Sequence, residues 1–281
     1  MTSFRMVKKQ NIKNILKNKL TKKQLSLIPS SYDVVGDILI FADFPKELEK
    51  KEKIIGNTLL KLHRNIKIVC KKTKKYSGRF RLSRLKIIVG EKRKETEHKE
   101  SSTKIKLNVE KVYFSPRLSN ERKRIASLVK DGEEVLVMFS GCAVYPCIIG
   151  RNAKPNEIYG IEINPIAYKY AEENIKLNKL SNVKLFLGDV RKIIPKIKKK
   201  FDRIIMPLPK GAEDFLDLAL KKIKKNGVIH IYHFLKEDKI NKKSANKLFK
   251  NKIKKFKILN IVKCGQFSPR VYRVCVDVKV G

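Results

Sequence analysis

The chain has 281 residues, 42% of them hydrophobic, enough to fold as one large or two medium domains with real cores and too apolar for a disordered tail. Lys and Arg number 67 against 27 Asp and Glu, a formal charge of 67 − 27 = +40, which names a polyanion as the partner class while also fitting a simply solvated, lysine-rich surface. No apolar run approaches the roughly 20 residues of a membrane span, the start MTSFRMVKKQNIK lacks a secretion signal, and the five cysteines (70, 142, 147, 264 and 275) are scattered without a Cys-x-x-Cys pair, so a cytoplasmic protein with no membrane, disulfide or metal site is expected.

Residues 8–27 place Ile12, Ile15, Leu16, Leu20, Leu25 and Leu27 at helical spacing, and residues 1–31 hold eight Lys or Arg and no acid, predicting a basic helical segment. YDVVGDILIF then reads as a strand, and Pro45-Lys46-Glu47 as a helix start, with a proline and an acid suited to the first turn. Further strands are expected at 66–70, 85–89 and 105–109. Residues 32–114 therefore read as a small α+β domain.

From residue 115 to 281 strands and helices alternate. EVLVMF, EIYGIEI, VKLFLG, RIIMPL and GVIHIYHF are separated by helical stretches that include 165–178 and 211–225, the pattern of βαβ units around a parallel sheet. Segments 257–264 and 271–278, joined by GQFSPR, read as an antiparallel hairpin at one edge. In such sheets ligands bind beyond the carboxyl ends of the strands, and three of those ends carry suggestive residues. Gly141 follows EVLVMF, where a glycine lets backbone approach a ligand. Glu162 ends EIYGIEI, placed to accept hydrogen bonds from ribose hydroxyls. Gly188-Asp189 ends VKLFLG, where an acid and backbone groups can read an adenine edge. Each also suits an ordinary cap or turn.

Together the three resemble S-adenosylmethionine-dependent methyltransferases of the Rossmann-like class. Neither the phosphate-loop pattern G-x-x-x-x-G-K-[ST] nor G-x-G-x-x-G occurs. YFSPRLSNERKRIA, followed by VMFSG, GIEINP, GDVR and IIMPLPKGAEDFL, sharpens this. The run resembles the archaeal and eukaryotic type of tRNA (guanine-37-N1)-methyltransferase, and SYDVVGDILIF, YSGRFR and TEHKE resemble that family's small middle domain. The resemblance covers nearly everything from about residue 15. It implies a class I methyltransferase domain, with a mostly parallel seven-stranded sheet and an antiparallel edge hairpin, preceded by a small α+β RNA-binding domain.

It also implies site residues. Removing the N1 proton of guanine needs a base, and Glu121 matches the family's candidate. Charge developing on O6 needs a cation, and Arg81 of YSGRFR matches that position. Arg117 matches the arginine that helps hold the base, and Tyr113 the residue that packs beside the extruded guanine. Arg122, Glu162 with Ile163, and Asp189 with Val190 match positions contacting S-adenosylmethionine, and Met138, Phe139 and Gly141 lie in the turn beneath its methionyl part. Glu121 and Arg122 would otherwise be first-turn residues of a helix capped by Ser119 and running to Val129, and Arg81 a solvated charge. The implied partner is the anticodon stem-loop of tRNA, with guanine 37 extruded from its stack. Residues 61–99, with 15 basic and three acidic residues and with Tyr76 and Phe80 interleaved, are the expected platform. One chain supplying both pocket and platform implies a monomer.

The sequence departs from the family in places. Val137 stands where the first strand usually ends in Asp, Ala143 and Val144 where a second Gly and a Pro are usual, and Pro207 where an Asn is common. A proline has neither side-chain amide nor N–H, so only the Pro207 carbonyl is left to hold the cofactor or the guanine's exocyclic amine. Only about 30 residues precede SYDVVGD, where many archaeal relatives carry a further domain for the outer corner of tRNA. Two rival readings follow. One is a wybutosine-pathway enzyme that transfers the aminocarboxypropyl group of the same cofactor or methylates a tricyclic guanine derivative. The other is a catalytically silent RNA-binding protein on the same scaffold.

Overall fold

The computed structural model describes residues 9–249, 252–253 and 255–281, and the side chains at 9–11, 75 and 76 are outside that description. The expected start of the basic helix before residue 9, and the place of Tyr76 in the platform, therefore lie outside the described residues. The chain divides into two compact units: Met1–His98 with Leu107–Pro116, and Lys99–Lys106 with Arg117–Gly281.

In the first unit, helices α1 (Lys9–Leu16) and α2 (Lys22–Leu27) precede strands β1 (Asp33–Val35) and β2 (Ile38–Phe41). A 3-10 turn over Lys46–Lys51 leads into α3 (Glu52–Leu62), followed by β3 (Ile68–Ser77) and β4 (Leu82–Gly90). The sheet order is β1-β2-β3-β4, with β2 and β3 parallel and the other pairs antiparallel. Helix α2 starts on a reciprocal cap, Thr21 accepting from the Gln24 N–H while the Gln24 side chain accepts from the Thr21 N–H. Ile12, Leu16, Leu20 and Ile28 share one core with Leu39, Phe41, Leu48, Ile55 and Val69, so the basic N-terminal helices bury their apolar stripe in this unit.

One local expectation is corrected and one strand is added. YDVVGDILIF is a hairpin, because Gly36-Asp37 turns the chain: Val35 pairs with Ile38, and Gly36 has φ +56°. A Cβ at Gly36 would also lie 2.1 Å from Thr96 Oγ1. ETEHKE, too polar to register as a strand, is β5 (Glu95–Glu100), the partner of β6 (Thr103–Asn108) in a two-stranded ribbon.

In the second unit, α4 (Ser119–Leu128) precedes β7 (Glu134–Met138), α5 (Val144–Asn152), β8 (Glu157–Glu162), α6 (Pro165–Leu177) and β9 (Val183–Leu187). Then come α7 (Val190–Ile193), β10 (Phe201–Met206), α8 (Leu216–Lys222), β11 (Ile223–Lys236), α9 (Lys242–Phe249), β12 (Phe256–Ser268) and β13 (Val271–Val280). The order β12-β13-β11-β10-β7-β8-β9, with only β13 antiparallel to its neighbours, is that of a Rossmann-like methyltransferase sheet, and the fold inferred from alternation and motifs is the fold found. Strand β7 explains its central place: Val135, Leu136, Val137 and Met138 are all fully buried, each contributing about 1.5–3 kcal/mol of apolar burial.

Helix α6 clasps the outer ribbon through side-chain amides. Asn174 donates to the Lys106 carbonyl (3.0 Å) and accepts from its N–H (2.7 Å), and Asn178 does the same to Lys104 (2.7 and 3.0 Å). Those amides satisfy strand-edge groups that residues 99–106 carry into the second unit. Among the described residues no helix is long and apolar enough to cross a membrane.

Candidate active site

The carboxyl ends of β7, β8, β9 and β10 lie along one edge of the second unit's sheet and bring together Met138, Phe139, Gly141, Glu162, Ile163, Asp189, Val190 and Pro207. The loop between β7 and α5 turns sharply, with φ of +59° at Phe139, +58° at Gly141 and +61° at Ala143. Two of these are not glycine, so the loop holds left-handed strain of roughly 1–2 kcal/mol per residue, as ligand-binding turns do.

Glu162 organises this turn. Its Oε2 accepts the Gly141 N–H at 2.7 Å and its Oε1 the Asn164 N–H at 2.7 Å. Burial raises the Glu162 carboxyl above the ordinary carboxylate range, and the N–H groups of Asn164, Gly141 and Ile163 offset part of that. With three N–H donors on its four acceptor sites, the carboxylate keeps one lone pair for a ribose hydroxyl. A Cβ at Gly141 would meet nothing within 4 Å, so the turn faces open space, and the adjacent Ser140 Oγ is buried without a hydrogen-bond partner. An open, strained turn, an orphaned hydroxyl and a carboxylate needing donors fit the methionyl and ribose parts of S-adenosylmethionine.

The other strand ends are more occupied. Asp189 caps α7, accepting from the Arg191 N–H (2.9 Å) and Nη2 (2.6 Å). Val190 is buried at 3% exposure. After β10, the Leu208 N–H donates to the Met206 carbonyl at 2.8 Å across Pro207. With that amide committed and Pro207 lacking one, Pro207 offers a carbonyl and no donor.

Glu121 and Arg122 lie in the first turn of α4, both buried, with Leu118 rather than Ser119 at the N-cap and no side-chain cap. Arg122 makes a buried bidentate ion pair with Glu100, Nε and Nη2 each 2.5 Å from a carboxylate oxygen, which ties α4 to the 99–106 segment of the same unit. Glu121 is held by residues that sequence reasoning missed. Arg124, one turn along the helix, donates Nε to Oε2 (2.7 Å) and Nη2 to Oε1 (2.8 Å), and the Tyr232 hydroxyl donates to Oε1 at 2.7 Å. Because the Tyr232 proton goes to the carboxylate, Tyr145, 2.8 Å away, must donate to Tyr232.

Arg124 is itself fixed by Asp277 through contacts of 2.7 and 3.2 Å. Asp277 accepts the Nδ1–H of His230 at 2.6 Å, and His230 Nε2 lies 2.7 Å from Arg203 Nη1, which can only donate. Arg203 in turn grips Glu133 at 2.7 and 2.9 Å. Burial pushes the His230 imidazole below its usual value, and the Asp277 hydrogen bond only partly offsets this, so the ring is neutral at pH 7. Burial raises the Asp277 carboxyl, but hydrogen bonds from His230 and Arg124 outweigh it and hold the group well below the usual carboxylate range. His230, Cys275 and Asp277 bring ligand-type atoms within 4.8 Å of one another, but Arg124 and Arg203 flank the cluster with the positive charge that a cation would supply.

Arg117 is exposed in the short helical turn Pro116–Leu118 at the head of the second unit. Arg81 and Tyr113 belong to the first unit, Arg81 with φ +52° in the turn between β3 and β4. The missed partners left traces in the sequence. Arg124 is three residues from Glu121 on one helix face. In GVIHIYHF, period-two alternation puts His230 and Tyr232 on the same side of a mostly apolar strand, where buried polar groups signal a network.

Comparison with known proteins identifies the family. Residues 96–262 match the TRM5/TYW2 methyltransferase domain and residues 12–93 the TYW2 N-terminal domain. The chain is 39% identical over 262 residues to the tRNA (guanine(37)-N(1))-methyltransferase Trm5b of Pyrococcus abyssi, covering 90% of this chain and 76% of the relative. It is 34% identical over 253 residues to the tRNA(Phe) (4-demethylwyosine(37)-C(7)) aminocarboxypropyltransferase of Methanocaldococcus jannaschii, covering 88% of this chain and 97% of the relative. A solved complex of aTrm5 with tRNALeu superposes with a TM-score of 0.84 at 35% identity, over 98% of this chain and 79% of that one. The cofactor is S-adenosylmethionine. A carboxylate-braced turn on a Rossmann-like sheet, and a family model matched over more than half its length, make this chain a member of the TRM5/TYW2 methyltransferase family.

Proposed function

We propose that this protein is a cytoplasmic, monomeric tRNA methyltransferase that transfers the methyl group of S-adenosylmethionine to N1 of guanine 37. The observation that carries the reading is Glu121: a buried carboxylate at the start of α4, aimed by Arg124 and Tyr232, in the same unit as the Glu162–Gly141 turn. The activity of the Pyrococcus abyssi relative, and the tRNA in the solved aTrm5 complex, support it.

The bound cofactor supplies an electrophilic methyl group on a sulfonium. Glu121 would take the N1 proton of the guanine as that nitrogen accepts the methyl group the cofactor would supply. Three donated hydrogen bonds to Glu121 fix where its proton-accepting lone pair points. Arg81 is assigned the O6 contact, Tyr113 the packing against the base, and Arg117 help in holding Glu121. Glu162 binds the ribose, Met138, Phe139 and Gly141 cradle the methionyl part, Ile163, Asp189 and Val190 border the adenine, and Arg122 braces α4 beside the cofactor. Pro207 presents a carbonyl to an exocyclic amine. The first unit is proposed as the RNA-binding domain.

A second reading, aminocarboxypropyl transfer, is favoured by Pro207 in place of the amide side chain and by the similarity to the Methanocaldococcus jannaschii transferase. Glu121→Gln separates base catalysis from binding. The single-turnover methylation rate on a guanine-37 transcript should fall by about 10²–10⁴ with cofactor affinity unchanged. A near-normal rate would remove Glu121 from the role.

A further inference from the structure

The GQFSPR hairpin between β12 and β13 has no part in the chemistry above, yet it is built at the substrate end of the sheet. Strand β11 runs parallel to β10 and ends at Lys236, which pairs with Val271, the first residue of β13, while Ser268 closes β12 on the other side. The hairpin tip therefore lies along the same edge as Phe139, Glu162 and Pro207.

Register explains what that tip displays. Gln266 pairs with Tyr272 and Ser268 with Val271, so Phe267 is the extra residue of a β-bulge, the device that re-aims a side chain out of the ladder. Phe267 is 64% exposed, the highest value among the large hydrophobic side chains described. It is not loose: its ring lies on Phe234 of β11, with centroids 4.3 Å apart and planes at 35°. Phe234 pairs across the ladder with Arg273, whose guanidinium stands 5.7 Å from the Phe234 ring. The next residue of that row is Gly265, which adds no side chain to cover the stack. Lys236, two residues after Phe234, shares its face, and Arg270 is exposed in the turn beside it, whereas Lys263, over Tyr272 at 4.5 Å and paired with Glu237 at 3.0 Å, belongs to the other face.

An exposed, pre-stacked aromatic ring backed by a guanidinium and rimmed by cations is the chemistry of a single-stranded nucleic-acid platform: the ring takes a base face, and the cations take the flanking phosphates. A protein partner would match the apolar ring but not the cationic rim, whereas an unpaired nucleotide beside an extruded base matches both. We propose that Phe267, supported by Phe234 and Arg273, stacks on an unpaired nucleotide flanking the target base, with Arg270 on its phosphate. This rests on the RNA-directed reading given above, and it adds the surface that holds the loop open around the target.

The test uses the full-length protein and a fluorescently labelled tRNA transcript with guanine at position 37, measuring the dissociation constant by anisotropy from 50 to 200 mM salt. Phe267→Ala should weaken binding about tenfold with an unchanged salt slope, and Phe267→Trp should restore it. Arg270→Gln should instead lower the slope of log affinity against log salt by about 0.7–0.9, one phosphate contact. S-adenosylmethionine affinity, measured calorimetrically, should be the same in all variants. Equal RNA affinity for Phe267→Ala and wild type would overturn the proposal. So would a parallel loss of cofactor affinity, which would make the hairpin a structural prop. A dimer of wild type that Phe267→Ala converts to monomer in sedimentation would also overturn it, assigning the patch to a second copy. Because the readout is binding, a wild type that binds the transcript without making N1-methylguanine refutes the proposed function and still tests the platform.

Discussion

The chain Tyr145–Tyr232–Glu121 makes a prediction that neither residue makes alone. Tyr232→Phe removes the hydroxyl that donates to Glu121 at 2.7 Å and accepts from Tyr145 at 2.8 Å. Both tyrosines are buried, at 5% and 1% exposure, so no water replaces the lost partner. Losing a hydrogen bond to a carboxylate costs about 1.5–3 kcal/mol, and leaving the Tyr145 hydroxyl unsatisfied adds about 1–3 kcal/mol, so roughly 3 kcal/mol in all is expected. Tyr145→Phe alone deletes one neutral bond, leaves the proton on Glu121 in place, and should cost about 1 kcal/mol. In the double variant the orphaned hydroxyl is gone, so its cost should be about 2 kcal/mol rather than the additive 4, a coupling of about 2 kcal/mol. Calorimetric melting of the four proteins would read this as a Tm about 6–12 °C below wild type for Tyr232→Phe, with the double variant recovering part of the loss. A double variant whose loss equals the sum of the singles would refute the hydrogen-bonded chain and with it the account of how Glu121 is aimed.

Two further outcomes follow from the same geometry. His230 is held below its ordinary value of 6.5 in the folded protein, so between that lowered value and 6.5 the unfolded chain binds more protons, and stability falls as pH drops below about 6.5. Asp277, also held low, adds a second loss only below about 3.8, where the unfolded carboxylate takes up its proton. His230→Gln should flatten the Tm profile between pH 7 and pH 5 relative to wild type; an unchanged slope would show that His230 does not carry the response. Glu162→Ala strips the acceptor from the Gly141 and Asn164 N–H groups as well as from the ribose. S-adenosylmethionine should then bind about 100-fold more weakly by calorimetry, with tRNA affinity intact. A change under threefold would remove Glu162 from the cofactor site.

The parallel sheet was legible because alternation of apolar strands and helices is a local signal, and Gly141, Glu162 and Asp189, the proposed cofactor residues, stand where those signals end. What failed locally failed for identifiable reasons. YDVVGDILIF hid a two-residue turn inside an apolar run, where Gly36 is dictated by the approach of Thr96, far along the chain. ETEHKE forms a strand whose Thr96 and His98 bond to the Gly36-Asp37 turn, a tertiary preference that overrides weak strand propensity. The bracing of Glu121 was least visible, since Tyr232 is 111 residues away and Asp277 lies 153 from Arg124. Motif resemblance named Glu121 from its neighbours in sequence, but what orients it is assembled by β11 and β13, whose register sets His230 opposite Asp277.

The most direct test of the central claim is the identity of the modified nucleoside. Wild-type protein would be incubated with an unmodified guanine-37 tRNA transcript and methyl-labelled S-adenosylmethionine, and the digested product identified by mass. The account predicts labelled N1-methylguanosine at position 37 and its loss with Glu121→Gln. An aminocarboxypropyl adduct, label on another atom, or no modification by a protein that binds both cofactor and RNA would contradict it.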